Sequence, residues 1–71
     1  MPDSVYRVTE IIGTSTESWD AAARNAVETA AKSVRDLRVA EVLRQDVVIE
    51  DGALKGYRVR LAISFKYDSP D

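Results

Sequence analysis

Leu54-Lys55-Gly56-Tyr57-Arg58-Val59-Arg60-Leu61-Ala62-Ile63-Ser64-Phe65-Lys66-Tyr67 is the clearest alternation in the chain. Tyr57, Val59, Leu61, Ile63, Phe65 and Tyr67 share one face, and Arg58, Arg60, Ala62, Ser64 and Lys66 share the other. A period of two marks a strand packed on one side. Just before it, Glu50-Asp51-Gly52-Ala53 supplies an Asp-Gly turn, a strong hairpin signal because both turn positions need a left-handed backbone. The other arm of that hairpin is Arg38–Glu50, with Val39, Leu43, Val47 and Ile49 on one face and Ala40, Val42 and Val48 on the other. A strand that is apolar on both sides is usually covered on both sides.

Toward the N-terminus, Val5–Ile12 reads as a further strand, with Tyr6, Val8, Glu10 and Ile12 on one face. Gly13–Ser18 is a break rich in capping and turning residues. Thr14 and Glu17 have capping-box spacing, whereas Ser18 is the N-cap that suits the apolar stripe downstream. From Trp19 to about Asp36 the period becomes 3.6, and Trp19, Ala22, Ala23, Ala26, Val27, Ala30, Val34 and Leu37 fall on one helical face. Arg24, Glu28, Lys32 and Arg35 lie opposite, with Asp20–Arg24, Glu28–Lys32 and Lys32–Asp36 spaced as pairs of opposite sign. The stripe is mostly alanine, as suits a thin helix pressed closely onto a sheet.

The order is β-α-β-β, an α+β fold. Its expected form is a three-stranded antiparallel sheet in order 1-3-2 around one helix, a split β-α-β arrangement with a right-handed crossover. A single domain over residues 1–71 is expected, with its core in 5–67 and frayed ends.

Composition limits the chemistry. A chain of 71 residues buries only about 60% of the surface its unfolded form exposes, so small domains need reinforcement. With no Cys and no His, disulfides, zinc or iron–sulfur sites and Ser-His or Cys-His catalysis are excluded. Association with further copies, or an oxygen-ligated ion drawn from the 12 Asp and Glu, remains. A net charge of −2 with mixed signs argues against nucleic acid as a partner. No apolar run approaches the ~20 residues that cross a bilayer, and Thr9, Glu10 and Gly13 interrupt any signal-peptide core. A soluble, cytoplasmic protein with no membrane partner is expected.

Length points to self-association. Fourteen residues of strand span roughly 46 Å, whereas a compact globule of this size has a diameter of roughly 29 Å and an 18-residue helix reaches only about 27 Å. One helix cannot shelter such a sheet, so the strands must curl strongly or other copies must cover the overhang.

The run Val5-Tyr6-Arg7-Val8-Thr9-Glu10-Ile11-Ile12-Gly13-Thr14-Ser15, the helix start Ser18-Trp19 and the closing Tyr57–Phe65 strand resemble the dodecins over residues 5–66. Glu10–Ser15 is the most specific part of that likeness. The resemblance implies a hollow spherical homododecamer in which each curved sheet wraps its own helix. Flavin-binding members are storage or buffering proteins, not enzymes. They carry a Trp early in the second strand that stacks on the ring and a Gln in the third that bonds its edge. The matching positions here are Val39 and Arg58. Valine has no π-face, and Arg donates but cannot accept, so it cannot reproduce an amide's paired bonding. The usual flavin pocket is therefore expected to be lost, although Arg58 could meet a flavin phosphate or another small anion. Ser18-Trp19, Arg38-Val39-Ala40 and Tyr57-Arg58 are similar to the flavin-free calcium dodecin branch, which implies calcium as the ion. No EF-hand loop is present.

Other residues carry two readings each. Trp19 is either a relocated stacking residue or an anchor of the core or an interface. Arg58, Arg60 and Lys66 either line an anion channel or form a face ion-paired to Glu41, Asp46 and Glu50. Asp46, Glu50 and Asp51 are either candidate calcium ligands at an interface or simply hairpin and edge-strand charge. Tyr6, Tyr57 and Tyr67 read as amphipathic sheet residues. Nothing supports a carboxylate pair or perturbed Lys for catalysis. The expected function is a non-catalytic dodecamer that sequesters a small ligand or ion. The alternatives are a flavin or FMN store with a rearranged pocket, and a structural assembly module with no ligand.

Overall fold

The computed structural model describes residues 5–66 and runs β1 (Tyr6–Ser15), α1 (Trp19–Ala31), β2 (Leu37–Glu50) and β3 (Ala53–Lys66). Tyr67 and the Asp68–Asp71 end, expected as the last strand residue and a frayed tail, lie outside the described residues. The three strands form one antiparallel sheet in the order β1-β3-β2, as expected from the sequence. The strand with the cleanest alternation is thus the central one. Its Val59, Leu61 and Ile63 are buried beneath α1, and Arg58 and Arg60 point to the open face.

The hairpin joins β2 to β3 through Asp51 and Gly52, with Glu50 opposite Ala53. Both turn residues have positive φ, 51° and 75°, as a two-residue turn matched to strand twist requires.

β1 continues past the expected end at Ile12, because Gly13, Thr14 and Ser15 pair with Val59, Arg58 and Tyr57. These residues look like a break by type, yet their backbones satisfy the ladder. Gly13 is also where α1 comes nearest. A Cβ there would overlap the Ala22 carbonyl and lie 2.7 Å from the Ala26 Cβ. Ala22 and Ala26 are the buried helix residues, so the alanine stripe does bring α1 close to the sheet. Asn25 Nδ2 donates to the Thr14 carbonyl at 3.0 Å and fastens the helix to β1.

α1 begins as its sequence dictates, with the Ser18 side chain accepting from the Ala21 N–H at 3.0 Å. It ends at Ala31, well short of Asp36. The Lys32 and Ser33 N–H groups reach back to Thr29 and Ala30 in a tightened last turn, and Asp36 takes a left-handed φ of 63° that redirects the chain into β2. The apolar stripe outlasts the helix because Leu37 still packs on the core from the start of β2. None of the spaced pairs on α1 closes into an ion pair among the described residues.

β2 breaks strict alternation. Its register against β3 shifts between Leu37 and Val39, between Val42 and Arg44, and between Val48 and Ile49. Such bulges move following side chains to the other face. Val39, opposite Ser64, lies on the open face, and Val47, opposite Tyr57, lies on the helix face. The expectation that these two share a face is therefore corrected.

The described chain is extended. It measures 55 × 20 × 14 Å, with a radius of gyration of 14.9 Å against roughly 11 Å for a compact chain of this length. A 13-residue helix reaches only about 20 Å. It covers β1 and the middle of β3 and leaves Val39 (61% exposed), Val42, Leu43 and Ile49 (65%) of β2 uncovered. No helix among the described residues is long and apolar enough to cross a membrane.

Candidate functional site

On the face of the sheet turned away from α1, Glu10, Ile12, Leu43, Arg44, Asp46, Arg58 and Arg60 surround a cavity of about 330 Å³. All three strands contribute, because the register sets Ile12 opposite Arg60, Arg44 opposite Arg60, and Asp46 opposite Arg58.

Arg58 and Asp46 form a fork-to-fork pair. Nε donates to Oδ1 at 2.8 Å and Nη2 to Oδ2 at 3.0 Å, the bidentate geometry that an Arg–carboxylate pair favours. The hydrogen bond from Arg58 is the main cause that lowers the Asp46 pKa below its ordinary 3.8, and the charges of Arg58, Arg44 and Arg60 act in the same direction against a desolvation effect. Arg58 is raised in return, chiefly by the same bond. Arg60 reaches toward β1, its Nη1 3.4 Å from Glu10 Oε1. Of the acids expected to close this face, Asp46 does so; Glu10, not foreseen in that role, meets Arg60 in place of Glu41 or Glu50.

Asp46 also links the two faces. Its main-chain carbonyl accepts from Trp19 Nε1 at 3.0 Å, and the indole meets Tyr57 edge-on, with centroids 5.1 Å apart at 74°. Of its two readings, Trp19 is an anchor in this chain, tying the start of α1 to the middle of the hairpin.

The remaining singled-out residues are spread along the sheet. Val39 and Arg58 share the open face, but Val39 lies opposite Ser64 of β3 and Arg58 lies opposite Asp46 of β2, a separation of roughly 20 Å along the strand. One chain does not bring them into one pocket. Glu50 and Asp51 sit at the hairpin end, about 13 Å along the strand from Asp46, whose carboxylate is held by Arg58. Among the described residues no group of three or more acids is arranged to hold a metal ion.

Sequence reasoning overlooked Arg44 and Ile12 as partners of Arg58 and Arg60. Strict alternation misplaces β2 beyond Val42, and the one available signal is the polar run Arg44-Gln45-Asp46 inside an otherwise apolar strand.

The comparisons with known proteins agree with this architecture. Residues 5–68 match the Dodecin family model. A calcium dodecin of Mycobacterium tuberculosis is 49% identical over 63 residues, 89% of each chain. The solved dodecin of Streptomyces coelicolor superposes with a TM-score of 0.90 at 39% identity, over 97% of this chain and 99% of that one. The solved calcium dodecin of M. tuberculosis, a calcium-chelating antigen with a novel calcium-binding site, superposes at 0.81 with 46% identity over 96% and 97%. Sequence and strand order agree from β1 to β3, and the chain belongs to the dodecin family.

Proposed function

We propose that this chain assembles into a hollow homododecamer that sequesters a small ligand or ion without catalysis, with calcium as the ion. The observation that carries this reading is the uncovered apolar strand β2. Val39, Val42, Leu43 and Ile49 face water over a sheet far longer than its helix, and burying them against further copies supplies the apolar area that the small core of Ala22, Ala26, Val59, Leu61 and Ile63 lacks. The calcium dodecin relative supports the choice of ion. Since no three acids converge within one chain among the described residues, the calcium ligands come from more than one copy; Asp46, Glu50 and Asp51 are the candidates. The usual flavin pocket is lost at Val39 and Arg58, the latter being already engaged by Asp46. A cytoplasmic shell fits the absence of a membrane-crossing helix among the described residues.

Light scattering on purified protein tests assembly, and a particle of one or two chains refutes it. Calorimetric titration with calcium, against a chelator-treated control, tests the ion. A saturable heat tied to the intact particle is expected, and none at all removes calcium from the reading.

A further inference from the structure

We propose that the cavity on the open face of the sheet is an oxyanion site, in which Arg44 and Arg60 clamp a phosphate or carboxylate whose apolar body lies on Ile12 and Leu43.

The case begins with register. Arg44 and Arg60 are direct cross-strand partners, and like charges placed opposite one another in a sheet destabilise it. The register holds both exposed side chains on the open face, where Asp46 is the nearby carboxylate that both act on and is already taken up by Arg58. A bound anion turns the repulsion into attraction.

Charge balance points the same way. Three guanidinium groups and two carboxylates line the cavity. Asp46 is taken up by Arg58 in ideal bidentate geometry. Glu10 balances Arg60 through one long contact of 3.4 Å, with both side chains more than half exposed. Arg44 has no hydrogen bond or ion pair among the described residues. The cavity thus carries one net positive charge, seated on Arg44, next to a second arginine that is loosely held. A planar guanidinium presents paired donors that match the oxygens of phosphate and carboxylate. Asp46, which lines the cavity, is also a candidate calcium ligand, but the net positive charge here repels a cation, so the anion site does not rest on the calcium reading.

The shape selects small ligands. About 330 Å³ is at the lower end of ligand-pocket size, roughly 300–1,000 Å³. Ile12 and Leu43 supply apolar wall beside the charged groups, as an organic phosphate or acid requires.

The test is calorimetric titration of the purified protein, in whatever assembly it adopts, with inorganic phosphate and with phenyl phosphate at low ionic strength, where exposed charges are least screened. Saturable binding of one anion per chain is expected. Arg44→Gln should weaken it by about tenfold or more, and Glu10→Gln should tighten it by removing the competing carboxylate. Arg24→Gln, on the exposed face of α1, should leave it unchanged. Tighter binding of phenyl phosphate identifies an organic ester as the ligand, and equal binding identifies the free oxyanion; both support the site. Thermal melts guard against misfolding: without phosphate, Arg44→Gln should melt at or above the wild-type temperature, and phosphate should raise the melting temperature of the wild type alone. The proposal is overturned by absence of saturable phosphate binding to the wild type, by undiminished binding in Arg44→Gln, or by a lower melting temperature of Arg44→Gln without phosphate.

Discussion

Gly13 sets how closely α1 can lie on β1. It is buried against the alanines of α1, and even a methyl group there meets the Ala22 carbonyl and the Ala26 side chain. Gly13→Ala should therefore cost about 1–3 kcal/mol, the usual range for overpacking, read as a lower denaturation midpoint; an unchanged midpoint would mean that the helix can lift freely from the sheet. Asp46 acts through charge. Its folded pKa lies below 3.8, mainly through the hydrogen bond from Arg58, so the carboxylate form is favoured on folding. The stabilisation is fully present above about pH 4 and disappears as pH falls through the lowered folded value. Thermal melts of the wild type and Asp46→Asn should differ at pH 7 and converge below pH 4, and a gap that widens on acidification would contradict the pairing. Val39 is a third residue with a distinct test. Exposed at 61% on the open face, it offers no ring surface, and Val39→Trp should confer flavin affinity, seen as quenching of flavin fluorescence on titration. No quenching would count against the role assigned to that position.

Elements show which parts of the sequence could be read. The start of α1 was legible because Ser18 is a cap by chemistry and its oxygen meets the Ala21 N–H. Ser18→Ala should accordingly cost about 1 kcal/mol, measured by chemical denaturation, with Ser18→Asp retaining most of the stability. The hairpin was legible for a similar reason, since Asp51-Gly52 is a local conformational preference that the φ values realise. β3 was legible because it is central and packs on one face only, so its pattern records a single environment. The end of α1 was obscured: Val34 and Leu37 keep the helical period after the helix has stopped, and the stop is a left-handed Asp36 with no Gly or Pro to announce it. β2 was legible as a strand and misread by face, because a bulge is a property of two strands together and leaves almost no mark on either. The same bulges hid the candidate site. Arg44 joins Arg58 and Arg60 only once the register has slipped past Val42, so the arginine cluster could not be found by counting alternate residues.

At the scale of the whole molecule, the chain alone has an incomplete interior. Among the described residues its hydrophobic core is five buried side chains, all small or aliphatic, and Val39, Val42, Leu43 and Ile49 of β2 stay exposed. Ile49 distinguishes a free-standing chain from an assembled one. It is 65% exposed in the chain by itself, and Ile49→Lys in a monomer should therefore change stability by no more than about 0.5 kcal/mol, as for other surface substitutions. If neighbouring copies cover this end of β2, the same change places an ammonium in a contact built for a branched hydrocarbon, and the cost rises to several kcal/mol per copy. Repetition around a closed particle multiplies that cost. Sedimentation velocity should then show the variant shifted to small species while its circular dichroism keeps the β-α-β-β signature at high concentration. An intact particle with unchanged melting would locate the subunit contacts elsewhere on the chain. Ile49 lies beyond the cavity residues Arg44, Asp46, Arg58 and Arg60, so its replacement separates the forces that close the particle from those that hold a ligand.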